Sequence, residues 1–366
     1  MKLRGRYCRH LLALGVTLLA PLCYCGLALA TPPANVPQAL DGASVSLATI
    51  PFSAPIGVIS EVMRRDTILA KTLQAQQKSL VIQPFSKGQD MEPSMKRGDI
   101  DIALTGDMPA LSMAAESDII IEGLVKLGSG GIVSRNSYAS LSDLRGKRIG
   151  VPSGASVYYG LLIALETAGM KEGDVEVVFM EPNELVSALI DKQIDAISIW
   201  PPVLDSALQD HPNMVVLQRF MNSSYILLRR SFADQEPEIA ASILASYLRA
   251  LRWMKGDPLH LLLAAGWAKE SAENFQKEPF ASLELIRTIT KRDILAYAAN
   301  PSIPRADREE GGQVHTLFTF LQKRGKLPAQ ASWARIRKSL DSHLLRDILA
   351  QPDKHLLNTF DYSQGN

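Results

Sequence analysis

The chain has 366 residues, 46% of them hydrophobic and 21% charged, a globular balance that excludes a mainly disordered protein and allows one large or two medium domains. A net charge of +1 argues against a nucleic-acid role, which would want a basic face, so no nucleic-acid partner is expected.

The first element is a leader. Lys2, Arg4, Arg6 and Arg9 form a positive start, residues 11–20 are apolar, and Ala28-Leu29-Ala30 makes a cleavage pattern before Thr31-Pro32-Pro33. This is the plan of a cleavable signal peptide over 1–30, and so of an exported, periplasmic protein. A membrane anchor is the alternative, but Pro21, Cys23, Tyr24 and Cys25 interrupt the run, and the residues before Cys23 and Cys25 fit lipid attachment poorly. Cleavage removes Cys8, Cys23 and Cys25, which are all the cysteines, so neither a disulfide framework nor a thiolate metal site is expected. It also removes four basic residues and no acidic one, taking the net charge to −3.

Residues 31–40 read as a Pro- and Ala-rich leader segment. Residues 45–50 predict a strand, and the turn at 51–55 opens a helix with Ser53 as its N-cap and Ile56, Ile59 and Met63 on one face. A strand at 80–82 leads to the turn 86–90 and a short helix at 91–95. Gly98-Asp99-Ile100-Asp101 leads into a strand at 102–104, then the turn 105–109, another helix, and a strand at 119–125. A glycine-flanked apolar segment at 130–134 follows.

The next stretch alternates in the same way: strand 148–151, turn 152–154, helix 155–168 ending at Gly169, strand 176–179, helix 184–190 and strand 194–199. Such alternation builds a parallel α/β sheet, which binds small molecules at the carboxyl ends of its strands, where these polar turns sit. The helix–turn–strand units at 95–104 and 189–199 look alike, as a pseudo-repeat or as any such unit does. Residues 223–228 read as a further strand, and the segments near 130–134 and 223–228 suit a hinge of two extended crossings. From Pro237 the chain reads as helical, with Ile239, Ile243, Tyr247, Leu251 and Met254 on one core-facing stripe and further helical stretches at 261–267, 283–297, 312–321 and 334–349.

The phrase Leu141-Ser142-Asp143-Leu144-Arg145-Gly146-Lys147-Arg148-Ile149-Gly150 resembles the domain-opening motif of type II solute-binding proteins of ABC importers, above all the taurine, sulfonate and nitrate group with its pyrimidine-precursor binders. Gly106-Asp107-Met108-Pro109, Gly154 to Tyr159, Ala164-Leu165-Glu166 with Ala168-Gly169, and Gln193-Ile194-Asp195-Ala196 running into Trp200 and Pro202 match in order and spacing. The likeness covers roughly residues 45–349. It implies an α/β fold of two lobes joined by a two-strand hinge, the periplasmic binding protein type II plan, with a helical C-terminal region packed on the first lobe. The lobes implied are 31–133 with 224–366, and 134–223. It implies a monomer that closes over one small-molecule solute and delivers it to a membrane permease.

Helix N-termini present free N–H groups and partial positive charge, so a ring of them suits a polar or anionic solute. The expected ligand ring is Ser53, Gly88, Gln89, Thr105, Gly106, Asp107, Ser153, Ser156, Tyr158 and Trp200. Ser156 matches the family's site serine; it contacts ligand or caps its helix. Of Tyr158 and Tyr159, at most one faces the cleft. Trp200 walls the cleft or packs the lobe. Asp107 binds a cationic group or caps the helix after Pro109. Asp90, Glu92 and Asp107 outweigh Lys87 in these turns, which favours an organic solute with amine, amide or ring N–H groups over an inorganic oxyanion.

No catalytic residue, metal site or cofactor is expected. His10, His211, His260, His315, His343 and His355 show no metal-ligand spacing, and there is no Walker loop or nucleophile elbow. Met91, Met95, Met108 and Met113 read as core rather than as copper ligands. An enzyme on the same fold and a sensory binding module are the alternatives to a transport role.

Overall fold

The computed structural model describes residues 43–363, apart from Asn136, Ala296 and the side chain of Leu295. The expected leader and all three cysteines lie outside the described residues. Among those described, no helix is long and apolar enough to cross a membrane.

The chain begins with β1 (Ser44–Thr49), α1 (Ile56–Arg64), α2 (Thr67–Ala75) and β2 (Ser79–Pro84). A 3₁₀ turn at Gly88–Met91 precedes α3 (Glu92–Arg97), β3 (Ile102–Gly106), α4 (Asp107–Glu116) and the long β4 (Ile119–Arg135). Then come β5 (Arg148–Val151), α5 (Ser156–Thr167), β6 (Glu176–Phe179), α6 (Leu185–Ile190), β7 (Ala196–Ile199), α7 (Val203–Asp210) and the long β8 (Met214–Arg229). The rest is helical: α8 (Arg230–Gln235), α9 (Pro237–Gly256), α10 (Pro258–Gln276), α11 (Leu283–Leu295), α12 (Gln313–Lys323), α13 (Trp333–Ser339) and α14 (His343–Ala350).

All eight strands form one mixed sheet in the order β2-β1-β3-β8-β4-β7-β5-β6. β1 pairs in parallel with β2 and β3, and β5 pairs in parallel with β6 and β7. Between these parallel sets run β4 and β8, antiparallel to each other from Ile119↔Arg229 to Arg135↔Met214. The start of β4 and the end of β8 belong to the first set, where β3 pairs with Leu228 to Ser224. Their other ends belong to the second, where β7 pairs with Gly131 to Ser134. Two strands therefore join two α/β halves, as expected.

The strands are longer than their sequence signals. Residues 119–125 and 130–134 are one strand, and the glycines between them do not break it. A Cβ on Gly128 would lie 2.4 Å from Asp293 Oδ2 and 2.4 Å from Lys126 Cε, and one on Gly130 would lie 2.5 Å from Phe220 Cε2. Neighbouring side chains fill those places, so the glycines serve close approach. α2 and α7 carried no expectation, although Asp66 caps α2 by accepting the N–H groups of Ile68 and Leu69 at 3.0 and 3.2 Å. The expected helix at 334–349 is two helices, parted where the Asp341 carboxylate accepts the His343 N–H at 3.1 Å. Ser53 is not an N-cap. Pro55 holds that position, and no side-chain bond caps α1.

The C-terminal helices pack on the first half: α9 against α1 and α2, α10 against α1, α11 and α14 against β4, and α13 against α4. A buried ion pair fastens α9, with the Arg249 Nε and Nη2 groups donating to Asp66 Oδ2 at 2.9 and 2.6 Å. The segment from α12 onward also reaches the second half. Arg324 meets Glu166 at 2.7 Å, and Lys326 meets Glu172 at 3.0 Å and the Tyr158 hydroxyl at 2.6 Å. Met91, Met95, Met108 and Met113 are buried in the hydrophobic core.

Candidate functional site

The turns at the carboxyl ends of the parallel strands in both halves converge, with β4 and β8 behind them. They enclose a cavity of about 30 Å³ lined by Ser53, Gly88, Gly106, Ser156 and Trp200 from these turns. Lys126, Asn222 and Ser224 from the two long strands also line it. Five of the expected ligand residues thus share one wall system drawn from both halves.

The polar atoms here are poorly satisfied. The Ser156 hydroxyl, the Trp200 indole N–H and Asn222 Oδ1 are buried without a hydrogen-bond partner. So is Thr105 Oγ1, just behind the wall: a Cβ on Gly88 would lie 2.2 Å from it, which explains a glycine there. The Ser53 hydroxyl has no partner among the described residues. Orphaned buried polar groups cost free energy; the Ser156 hydroxyl and the Trp200 indole N–H are donors that call for acceptor atoms, while Asn222 Oδ1 is an acceptor that calls for a donor.

Lys126 dominates the electrostatics. It is 2% exposed, and its ammonium makes no ion pair and no hydrogen bond among the described residues. Burial pushes its pKa down, and Asp293 pulls it back. No carboxylate lines the cavity. Around a buried ammonium, hydroxyl and indole donors make an anion-receiving field.

Aromatic rings close one side. Trp200 from the second half stacks on Phe52 from the first, with centroids 6.3 Å apart and planes at 18°, and Phe52 stacks in turn on Phe275 of α10 at 6.2 Å and 19°. Trp200 therefore lines the cavity and packs the two halves together.

The remaining expected residues lie elsewhere. Gln89 and Ser153 meet at the mouth, where the Ser153 hydroxyl donates to Gln89 Oε1 at 2.9 Å across the halves. Beside them Lys87 bridges to Glu181 in the second half and to Asp90. Tyr158 turns away, bonding Glu172 and Lys326, while Tyr159 meets Phe320 edge-on. Asp107 faces a different cavity, of about 310 Å³, between α5, β8 and α12. Its carboxylate accepts the N–H groups of Met108 at 2.8 Å and Ser223 at 3.0 Å, and burial pushes its pKa up. It begins α4 rather than capping a later helix. Ser156 is the first residue of α5 and does not cap it; its hydroxyl neighbours Asp107 without a formed hydrogen bond.

These placements correct the charge argument drawn from the turns. Asp90 is engaged by Lys87, Glu92 accepts the Ser112 hydroxyl at 3.1 Å, and Asp107 is held by backbone. None of the three lines the cavity, whereas Lys126 does. Lys126 and Asn222 escaped notice because they sit within the long strands, away from the polar turns. The available signal was a lysine inside an apolar, glycine-rich strand, Leu124-Val125-Lys126-Leu127-Gly128.

Residues 79–260 match the family described as NMT1/THI5 like. A binding protein of Brucella abortus is 30% identical over 205 residues, which are 53% of this chain and 63% of that protein, so the match spans less than two thirds of its length. The taurine-binding periplasmic protein of Escherichia coli is 26% identical over 264 residues, 68% of this chain and 78% of that one. The alkanesulfonate-binding protein SsuA from Xanthomonas axonopodis, solved with bound MOPS, shares the fold with a TM-score of 0.61 at 18% identity, over 81% of this chain and 99% of that one.

Proposed function

We propose, for a chain whose residues 79–260 match the NMT1/THI5-like family, that it is a periplasmic solute-binding protein capturing a small organic anion. A sulfonate-type head enters the cavity at Lys126, and the loaded protein serves the membrane permease of an ABC importer. The carrying observation is the Lys126 ammonium, 2% exposed and with no ion pair or hydrogen bond among the described residues, in a cavity lined from both halves. An anion there pairs with the ammonium, to which Asp293 is the nearest compensating charge, and accepts from the Ser156, Ser53 and Trp200 donors. The taurine and alkanesulfonate proteins among the relatives and structural neighbours support a sulfonate head. The lining groups bind and orient, and no histidine or carboxylate stands among them to move a proton.

The space of about 30 Å³ is small for an organic solute, so in this reading the halves part to admit one and close on its head group. β4 and β8 are the hinge in this reading, with the domains divided near 133 and 224, and the Gln89–Ser153 and Lys87–Glu181 links fasten the mouth. Export through the leader at 1–30, with a mature start at Thr31, and a monomeric state complete the proposal.

Calorimetry on the full-length mature protein tests it with ethanesulfonate, taurine and the cation choline. The sulfonates are expected to bind and choline not to. Choline binding without sulfonate binding overturns the reading. Small-angle scattering with a bound sulfonate is expected to give a smaller radius of gyration than the free protein.

A further inference from the structure

A second charged site lies in the C-terminal helical region, far along the chain from the turns that line the cavity. Arg305 and Arg308 on the 3₁₀ turn Arg305–Arg308, Arg337 and Lys338 at the end of α13, and Arg346 on α14 line one open depression of about 500 Å³. Glu309 is the one acid among its lining residues. The cations come from three separate elements, so the fold and not a local run of basic residues assembles them.

Their lack of partners sets them apart. Most arginines of the described residues make ion pairs with carboxylates, such as Arg97 with Asp99, Arg145 with Asp174, Arg229 with Asp101 and Arg230 with Asp118. In the depression only Arg337 is so paired, with Glu309 at 2.9 Å. Arg346 donates to the Ser342 carbonyl at 3.2 Å, and Arg305, Arg308 and Lys338 have no carboxylate partner among the described residues. Arg308 Nε is moreover buried with no hydrogen-bond partner. Like charges repel, and holding several together with one acid is unfavourable unless an anion joins them.

We infer that this depression is a second anion site, separate from the Lys126 cavity, and that it takes a multiply charged phosphate group. Guanidinium groups match phosphate oxygens two by two, and several around one concavity suit a ligand with more charge and more oxygens than a single sulfonate head. The group is carried by a free phosphate compound or by an anionic phospholipid head at the membrane surface. The shared chemistry is the same, and the inference does not rest on the transport reading.

The test uses the mature full chain, pyrophosphate as the free anion, and vesicles of phosphatidylglycerol against vesicles of phosphatidylcholine. The variant is the double reversal Arg305→Glu and Lys338→Glu, both at exposed positions without ion-pair partners, with Arg308→Gln as a milder companion. Wild-type protein should bind pyrophosphate, or phosphatidylglycerol and not phosphatidylcholine vesicles, and the first result assigns a free ligand, the second a lipid head. Either affinity should fall about tenfold or more in the reversed variant and in high salt, while ethanesulfonate binding stays unchanged. No binding of either probe, or binding that survives the reversal with an unchanged melting temperature, overturns the inference.

Discussion

Two cavities on either side of β8 make an instructive pair. The one lined by Lys126 holds about 30 Å³, and the one lined by Asp107 about 310 Å³. Single-residue steps separate them: Gly106 lines the first and Asp107 the second, and Ser224 and Tyr225 do likewise on β8, as alternate strand residues must. By size the larger is the better pocket. By chemistry the order reverses. Asp107 is satisfied by two backbone N–H groups, whereas the Ser156 hydroxyl, the Trp200 indole, Asn222 Oδ1 and the Lys126 ammonium have no hydrogen-bond partner among the described residues. In the proposed reading the unmet polar groups, and not the volume, mark the cavity that takes the ligand.

The sharpest way to break this comparison is Lys126→Met. Sulfonate affinity should fall roughly ten- to hundredfold, the worth of a hydrogen bond to a charged group. The melting temperature of the free protein should rise, since a buried unpaired ammonium is replaced by an apolar side chain of similar length. Calorimetry and thermal unfolding read the two signs separately, and a fall in both would mean that Lys126 is structural.

Trp200→Ala comes next. It removes an orphan donor and the stack on Phe52, so affinity should drop roughly tenfold or more, and Trp200→Phe should recover the part due to the ring. Ser156→Ala removes one hydroxyl donor to the anion and should cost about 1.5 kcal/mol of binding, the lower end for a hydrogen bond to a charged group. Asp107→Asn sharpens the contrast from the other side. It disturbs the bonds to Met108 and Ser223, so unfolding should occur at lower temperature, while sulfonate affinity changes by less than about threefold. A large loss of affinity would bring the second cavity into the site.

A further prediction concerns pH. Glu122 in β4 is buried, with one oxygen accepting the Leu345 N–H at 3.1 Å and the other unpartnered, and burial pushes its pKa from 4.5 to about 8. Between those values the folded protein keeps a proton that the unfolded chain has released. Stability therefore falls as pH rises through this window and levels off above it. Glu92, pushed up to about 7 by burial, adds to the same slope at lower pH. The melting temperature should be lower at pH 8 than at pH 5, and Glu122→Gln should flatten the difference. The smallest effect belongs to Ser153→Ala, which breaks the Gln89 link at the mouth and should quicken ligand release by only a few-fold.

The fold was legible because its signals are local. Apolar runs bounded by Pro-Ser-Gly or Gly-Asp turns predicted β5, α5 and β3 closely, and the Ile239-to-Met254 stripe predicted α9. The turn residues Ser53, Gly88, Gly106, Ser156 and Trp200 were legible as a set for the same reason, since each follows a parallel strand. The charge of the site was not. Asp107 and Lys126 are both buried charged residues, and the direction each side chain takes depends on strand parity and on the bulges in the β4–β8 pairing. The irregularity between Leu124 and Lys126 shifts the register beside the decisive residue. No local pattern in Leu124-Val125-Lys126 announces such a bulge, so the acids in the turns read as the site's charge, whereas the charged residue that lines the cavity is the lysine in the strand.

The most direct measurement is a crystal structure with ethanesulfonate bound, using the anomalous signal of the sulfur to locate the head group. Sulfonate oxygens are expected about 2.7–2.9 Å from Lys126 Nζ, with others accepting from the Ser156 hydroxyl or the Trp200 indole. A sulfur in the cavity beside Asp107, or an ordered head group with Lys126 out of reach, would contradict that placement.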